Sequence, residues 1–146
     1  MKSSSFWQKW LVAASLAMSI FGLLMVLFIH SAIFAPLTEQ IDKVFWSGSA
    51  TTLPVLQFQK WVYGVWGATV AAFGLLAAWV ARHAFARREP WARDALAAAV
   101  ACWYLLDTAV SVASGVWANA ILNTVVLALF LPPLIATWRQ FTQGTD

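Results

Sequence analysis

The chain has 146 residues, a length that suits one domain. Hydrophobic residues make up 62% of it and charged residues only 10%, whereas a water-soluble domain carries about 25% charged residues. The net charge of +3 does not indicate a nucleic-acid-binding surface, because the basic residues are confined to short segments between apolar stretches, where they set membrane topology.

Four apolar stretches are long enough to cross a membrane as helices: residues 10–29, 61–80, 95–118 and 121–138. About 20 helical residues cross a hydrocarbon core of about 30 Å, and these stretches lack the alternation of barrel strands. We predict an all-α fold, an integral membrane four-helix bundle that forms a single domain over residues 1–146. The third and fourth stretches are joined by a short turn near Asn119, so we expect them to pack side by side and antiparallel.

The only long segment between the apolar stretches covers residues 30–60. Within it, residues 34–46 show helical periodicity, and Pro36 suits a first helical turn. Its apolar residues share one face of the predicted helix: Leu37, Ile41, Val44 and Phe45. This pattern predicts a short amphipathic helix on the outer membrane surface, which either caps the bundle or forms a lid over an outward-opening cavity.

Basic residues are distributed unequally between the two sides of the predicted bundle. One side carries only Lys43 and Lys60, and the other carries seven: Lys2, Lys9, Arg82, Arg87, Arg88, Arg93 and Arg139. Because cytoplasmic loops carry an excess of lysine and arginine, we predict a multi-pass protein of the bacterial inner (plasma) membrane. Its N- and C-termini then lie in the cytoplasm.

Asp107 is the sharpest functional signal in the sequence. It lies near the centre of the third stretch, where an acidic residue costs at least about 2.5 kcal/mol. No lysine, arginine or histidine occurs at a comparable depth in the four stretches, so the carboxyl must be protonated, hydrogen-bonded or in contact with water. Two interpretations stay open: a titratable or ligand-binding site that opens outward, and a structural acid that joins helices by hydrogen bonds.

Helical spacing places Trp103, Ser111 and Ser114 on one stripe with Asp107, and polar residues of the other stretches can face that stripe. The predicted ligand-binding residues are Asp107, Trp103, Tyr104, Ser111, Ser114, Thr69, Tyr63, Trp66 and Asn123. Ser15 and Ser19 are further candidates to face Asp107. Asn119 and Asn123 are one helical turn apart, and we interpret them mainly as residues that cap or orient the turn.

Sequence motifs for catalysis or cofactor binding are missing. There is no Walker loop, HExxH, CxxC, Gly-x-Ser-x-Gly or dinucleotide-binding glycine motif in the chain. The single cysteine, Cys102, is interpreted as a small buried hydrophobic residue. The sequence therefore predicts neither a metal site nor a cofactor, and it favours a function other than an enzyme.

Five segments give the chain a resemblance to a group of small bacterial four-span membrane proteins that have no assigned activity. They are YGVWGAT (63–69), HAFARREPWA (83–92), WYLLDTAVS (103–111), NAILN (119–123) and the later LPPL, within roughly residues 58–141. This resemblance implies the four-span fold and carries over no functional residue. A looser similarity to four-helix membrane bundles that bind sterols and lipids, some of them isomerases, implies lipid binding. Those bundles use several membrane-embedded acids, whereas this chain has Asp107 alone.

Three functional hypotheses follow. The first is a non-enzymatic binding or accessory protein that holds a lipid, an apolar small molecule or a partner membrane subunit, with Asp107 as the polar anchor. The second is a proton-coupled small-solute transporter or channel subunit acting as an oligomer. The third, less favoured because Asp107 has no evident partner base, is a lipid- or isoprenoid-modifying enzyme. Expected partners are membrane lipids, an apolar small molecule, and further copies of the chain or a larger membrane complex; nucleic acid is not expected.

Overall fold

The computed structural model describes residues 2–47 and 52–142, and every regular element in these ranges is a helix. The helices are α1 (Lys2–Phe28), α2 (Ala35–Trp46), α3 (Leu53–Val80), α4 (Pro90–Ala113), α5 (Trp117–Ala136) and α6 (Trp138–Thr142), and a π-helical turn (Ala81–Phe85) continues α3. Four segments are long and apolar enough to cross a membrane: Ser5–Phe28, Leu53–Phe85, Pro90–Ala113 and Trp117–Ala136. The predicted all-helical membrane bundle is confirmed.

The bundle has two distinct ends. The α2 end carries α2, the start of α3 and the turn between α4 and α5. The terminal end carries the start of α1, the α3–α4 loop and α6. Side-chain contacts hold the terminal end together: Gln8 Nε2 donates a hydrogen bond to Ala81 O (3.3 Å), and Arg93 Nη1 donates one to Trp138 O (3.3 Å).

The turn between α4 and α5 lies at residues 114–116, a few residues earlier than the predicted position near Asn119. Gly115 has φ +77°, a left-handed conformation that costs glycine little. Its N–H bonds to Val112 O (3.0 Å), and Val116 N–H bonds to Ser111 O (2.8 Å), which is the Schellman pattern of helix termination. Asn119 therefore lies inside the first turns of α5 rather than in the connection.

The predicted loop over residues 30–60 is shorter than expected, because α3 begins at Leu53. Pro54 lies at the start of α3, where a proline N–H is not needed. Residues 48–51 of this loop lie outside the described ranges. Cys102 was predicted to be buried, and this is wrong: its side chain is exposed on α4, on a surface that faces lipid if the bundle spans a membrane.

Helices α1 and α3 form the closest pair, because glycines let their backbones touch. A Cβ atom added to Gly22 would lie 2.5 Å from Gly67 O, and one added to Gly74 would lie 2.7 Å from Ser15 O. Small residues are the usual means of close helix approach in membranes. Not every glycine of α3 contributes to this contact, since a Cβ on Gly64 would meet nothing within 4 Å.

The α1–α3 pair contacts the α4–α5 pair mainly through α1 and α5. Helix α4 packs mainly on α5, and α1 contacts both α3 and α5, whereas α3 and α4 contact each other sparsely. At the terminal end a buried apolar cluster that includes Leu11, Leu96 and Phe130 fills the interior. Toward the α2 end, the sparse contact between α3 and α4 leaves space beside Asp107.

The close α1–α3 contact predicts that the same substitution has a large effect on stability at one glycine and a small effect at another. Gly22→Ala should lower the free energy of unfolding by about 1–3 kcal/mol, since its methyl group has no room. Gly64→Ala should change it by less than about 1 kcal/mol, because alanine is the better helix former and meets open space. Thermal unfolding in detergent measures both variants, and equal melting temperatures would contradict the proposed contact.

Candidate functional site

Asp107 lies on α4 and turns one carboxyl oxygen toward α5. Its Oδ1 accepts hydrogen bonds from Asn119 Nδ2 (2.6 Å), Asn123 Nδ2 (3.0 Å) and Ser111 Oγ (3.2 Å). Because the turn at residues 114–116 is short, residues one helical turn apart on α4 face residues one helical turn apart on α5. We call Asp107, Ser111, Asn119 and Asn123 the Asp107 cluster.

Further hydrogen bonds between α4 and α5 stabilise the cluster. Asn119 Nδ2 also donates to Ser111 Oγ (2.8 Å), and Asn123 Nδ2 also donates to Thr108 Oγ1 (3.3 Å). Asn119 is 5% exposed and Asn123 is 2% exposed, so neither amide depends on solvent for these bonds. The cluster therefore ties α4 to α5, as the structural interpretation of Asp107 predicts.

Two acceptor atoms in the cluster have no donor. Asn119 Oδ1 is buried without a hydrogen-bond partner, and Asp107 Oδ2 makes no hydrogen bond to any residue in the described ranges, although Oδ1 receives three. An unpaired buried acceptor such as Asn119 Oδ1 costs about 1–3 kcal/mol, whereas Asp107 Oδ2 is not buried. The cluster is thus saturated at Asp107 Oδ1 and unsaturated at these two oxygens.

Two spaces meet at the cluster. An inner cavity of about 210 Å³ lies between the four long helices. Asp107, Asn119 and Asn123 are the polar part of its wall, and the remainder is apolar, including Ala14, Met18, Val70, Trp103 and Phe130. A second space of about 450 Å³, the α2-end cleft, lies between α2, α3 and α4. Trp66 and Asn119 line both.

Helix α2 forms one wall of the α2-end cleft and is fixed by two hydrogen bonds. Gln40 Oε1 accepts the N–H of Ala118 (2.5 Å), one of the first-turn amides of α5 that lack an intrahelical partner. Asp42 Oδ1 accepts a hydrogen bond from Gln59 Nε2 (2.6 Å) on α3. The helix is therefore attached to both sides of the cleft.

The predicted apolar face of α2 is only partly covered. Leu37 is buried and Ile41 packs against a small apolar cluster at this end. Val44 and Phe45 remain exposed, because the bundle beneath them is open between α3 and α4. Ile41, Phe45 and Trp46 all contribute to the cleft wall.

Most of the predicted ligand-binding residues lie at these two spaces. Asp107, Ser111 and Asn123 belong to the cluster, Trp103 and Trp66 line the inner cavity, and Tyr63 and Ser114 line the α2-end cleft with Trp66. Asn119 donates hydrogen bonds to two cluster residues, Asp107 and Ser111, yet the sequence interpretation assigned it mainly to the turn. The matching four-residue spacings of Asp107–Ser111 and Asn119–Asn123 on either side of Gly115 are the signal that would have identified it.

Two predicted site residues, Thr69 and Tyr104, lie elsewhere. Thr69 is exposed on α3 and donates a hydrogen bond to Val65 O (3.1 Å) in its own helix. Tyr104 Oη lies 3.4 Å from Thr124 Oγ1, in an exposed contact between α4 and α5. Both positions were chosen for polarity, and in each case the hydroxyl is satisfied on the outer surface of the bundle.

Ser15 and Ser19 do not face Asp107 either. Ser15 Oγ donates to Leu11 O (2.7 Å) within α1, and Ser19 Oγ donates to Ala71 O (3.0 Å) across the α1–α3 contact. The Ser15 hydroxyl is therefore satisfied within α1, and the Ser19 hydroxyl joins α1 to α3. Within residues 2–47 and 52–142, no group of three histidine, cysteine, aspartate or glutamate side chains is placed to hold a metal ion.

No protein-family model, curated protein or solved structure matches this chain. The similarity to four-span bacterial membrane proteins stays a prediction. The Asp107 cluster and the two spaces beside it are therefore the features that indicate a function.

The hydrogen bonds to Asp107 predict different stabilities for two substitutions. In Asp107→Asn the amide oxygen can replace Oδ1 as acceptor, so the free energy of unfolding should fall by less than about 1 kcal/mol. Asp107→Leu removes the acceptor for two buried amides and should cost about 1–3 kcal/mol. Thermal unfolding in detergent measures the difference, with Thr69→Val as an exposed control. A Leu variant as stable as the control would contradict the structural role of the cluster.

Proposed function

We propose that this polytopic membrane protein is a non-enzymatic binding protein for a small apolar molecule that carries a hydrogen-bond donor. The single observation that supports this proposal is the pair of oxygens without a donor, the buried Asn119 Oδ1 and the accessible Asp107 Oδ2, beside an otherwise apolar cavity. A bound hydroxyl or N–H group would supply the missing donor. An apolar pocket with a few convergent polar groups is the usual form of a small-molecule site.

The cavity volume limits the size of the molecule. An apolar cavity of about 150 Å³ holds one benzene molecule, so about 210 Å³ accommodates roughly eight or nine non-hydrogen atoms. A whole phospholipid is therefore excluded from the inner cavity. A longer molecule can extend past Trp66 and Asn119 into the α2-end cleft, since these two residues line both spaces.

The polarity of the site favours binding over catalysis. The hydrogen-bond partners of Asp107 are two amides and one hydroxyl, and none of these is a general base. General acid–base catalysis usually needs a group with a matched pKa within hydrogen-bond reach of the reacting proton. The groups at Asp107 instead supply orientation and acceptor capacity, which are the requirements of a selective binding site.

Indole and indene form a matched probe pair, because they share one shape and only indole has an N–H donor. We expect the wild-type protein to bind indole about tenfold more tightly than indene, the effect of one net hydrogen bond of about 1.4 kcal/mol. In Asp107→Asn the oxygen that replaces Oδ1 stays bonded to Asn119, so the amide nitrogen replaces Oδ2 and presents a donor. The preference for indole should then fall, because only Asn119 Oδ1 still offers a free acceptor; calorimetry in detergent measures the change.

A second pair of variants tests whether the probes bind in the inner cavity or on the outer surface of the bundle. Val70→Phe fills the inner cavity and should abolish binding of both probes, whereas Val65→Phe adds the same ring at an exposed position of α3 and should not. Thermal unfolding checks that both variants fold. Equal binding by the two Phe variants, or an indole preference that is undiminished in Asp107→Asn, would contradict the proposal.

We also propose that the terminal end of the bundle faces the cytoplasm of a bacterial inner membrane. Seven of the nine lysines and arginines belong to this end in the sequence, and an excess of positive charge marks the cytoplasmic side. Both Arg88 at the terminal end and Lys43 at the α2 end are exposed. They therefore offer matched positions for labelling.

In a Cys102→Ala background, a membrane-impermeant maleimide should label Lys43→Cys in intact spheroplasts. Arg88→Cys should react only after the membrane is opened. The opposite labelling pattern would reverse the assigned orientation.

A further inference from the structure

A groove at the terminal end lies on the outside of the α1–α3 pair, away from the Asp107 cluster. Its volume is about 450 Å³. Its apolar walls come from both helices and include Val12, Leu16, Leu75 and Ala78. Its end near the α3–α4 loop carries Trp79, Arg82 and His83. We call it the Arg82 groove.

The π-helical turn (Ala81–Phe85) sets the direction of the side chains at the end of this groove. Ala81, Ala84 and Phe85 are buried, and the ring of Phe85 packs on that of Phe141 with 4.8 Å between centroids. Buried side chains therefore hold one face of the π-helical turn against the bundle, while Arg82 stays exposed. π-helical turns of this kind often occur at functional sites.

Arg82 differs from Arg87 and Arg93 because its guanidinium has no partner. That guanidinium forms no hydrogen bond or ion pair with any group in the described part of the chain; the same holds for Arg88, which does not line the groove. Arg87 Nε donates to Glu89 Oε1 (2.6 Å). Hydrogen bonds from Arg87 and Trp91 lower the pKa of Glu89. The Glu89 carboxylate therefore neutralises the charge of Arg87. No acidic side chain lines the groove.

The other two residues at this end of the groove, Trp79 and His83, contact each other. His83 Nδ1 donates to Trp79 O (2.9 Å), and the His83 ring lies on the indole of Trp79 with 4.5 Å between centroids. Trp79 itself is strongly exposed. An exposed tryptophan at the end of a membrane-spanning helix is typical of the headgroup level, and Arg82 extends from the same level.

We propose that the Arg82 groove binds one phospholipid with an anionic headgroup. One acyl chain would lie along the apolar wall between α1 and α3, and the headgroup phosphate would contact the guanidinium of Arg82. The two halves of the groove match the two halves of such a lipid in polarity and in charge. This site is independent of the proposed small-molecule site, because the two share no lining residue.

Native mass spectrometry of the protein from nanodiscs that contain equal amounts of phosphatidylglycerol and phosphatidylcholine tests the proposal. The wild type should retain phosphatidylglycerol preferentially. Arg82→Gln should reduce that retention at least about fivefold, the effect of one arginine near an anionic surface. Arg88→Gln is the matched control, since Arg88 is also exposed and basic but does not line the groove.

A second pair of variants tests the acyl-chain half. Leu16→Trp should block the groove and lower phosphatidylglycerol retention, whereas Leu23→Trp, at an exposed position of α1 outside the groove, should not. Inorganic phosphate at millimolar concentration should not displace the lipid. Equal losses in Arg82→Gln and Arg88→Gln, no loss in either, or displacement by phosphate alone would overturn the proposal.

Discussion

A carboxyl oxygen placed among apolar helices needs hydrogen-bond donors, and the α4–α5 pair is arranged to supply them to Asp107. Two amide nitrogens and one hydroxyl converge on Oδ1, and this convergence fixes the rotation of α5 against α4. A rotation of either helix by one residue would move Asn119 and Asn123 about 100° away from Asp107. The hydrogen bonds to this one oxygen atom therefore favour a single register of the pair.

The two helix pairs are held together by different forces, and the inner cavity follows from that difference. Backbone contact at Gly22 and Gly74 brings α1 and α3 so close that a Cβ atom does not fit at either glycine. Side-chain hydrogen bonds join α4 and α5, so Asp107 and the asparagines occupy space between these two helices. The pairs meet mainly where α1 touches α5. The sparse contact between α3 and α4 then leaves room beside the cluster.

Hydropathy and spacing predicted the architecture because the apolar stretches are long and the segment at residues 34–46 is strongly periodic. They also selected Asp107, since an acid at that depth stands out against its neighbours. The exact turn was missed although Gly115 signals it, because hydropathy does not change there. Thr69 and Cys102 were misplaced for a different reason. In a helix that is apolar on every face, composition does not distinguish the lipid-facing side from the packed side, and only contacts between helices do.

The tight turn at Gly115 has a consequence for how the chain enters the bilayer. Inserted alone, α4 would bring the carboxyl of Asp107 into hydrocarbon without its asparagine donors, and an aspartate at the centre of a single helix costs about 2.5–3.5 kcal/mol during translocon-mediated insertion. A connection of three residues (114–116) lets α5 follow at once. We therefore expect the last two spans to partition from the translocon as a preformed helical hairpin rather than one after the other.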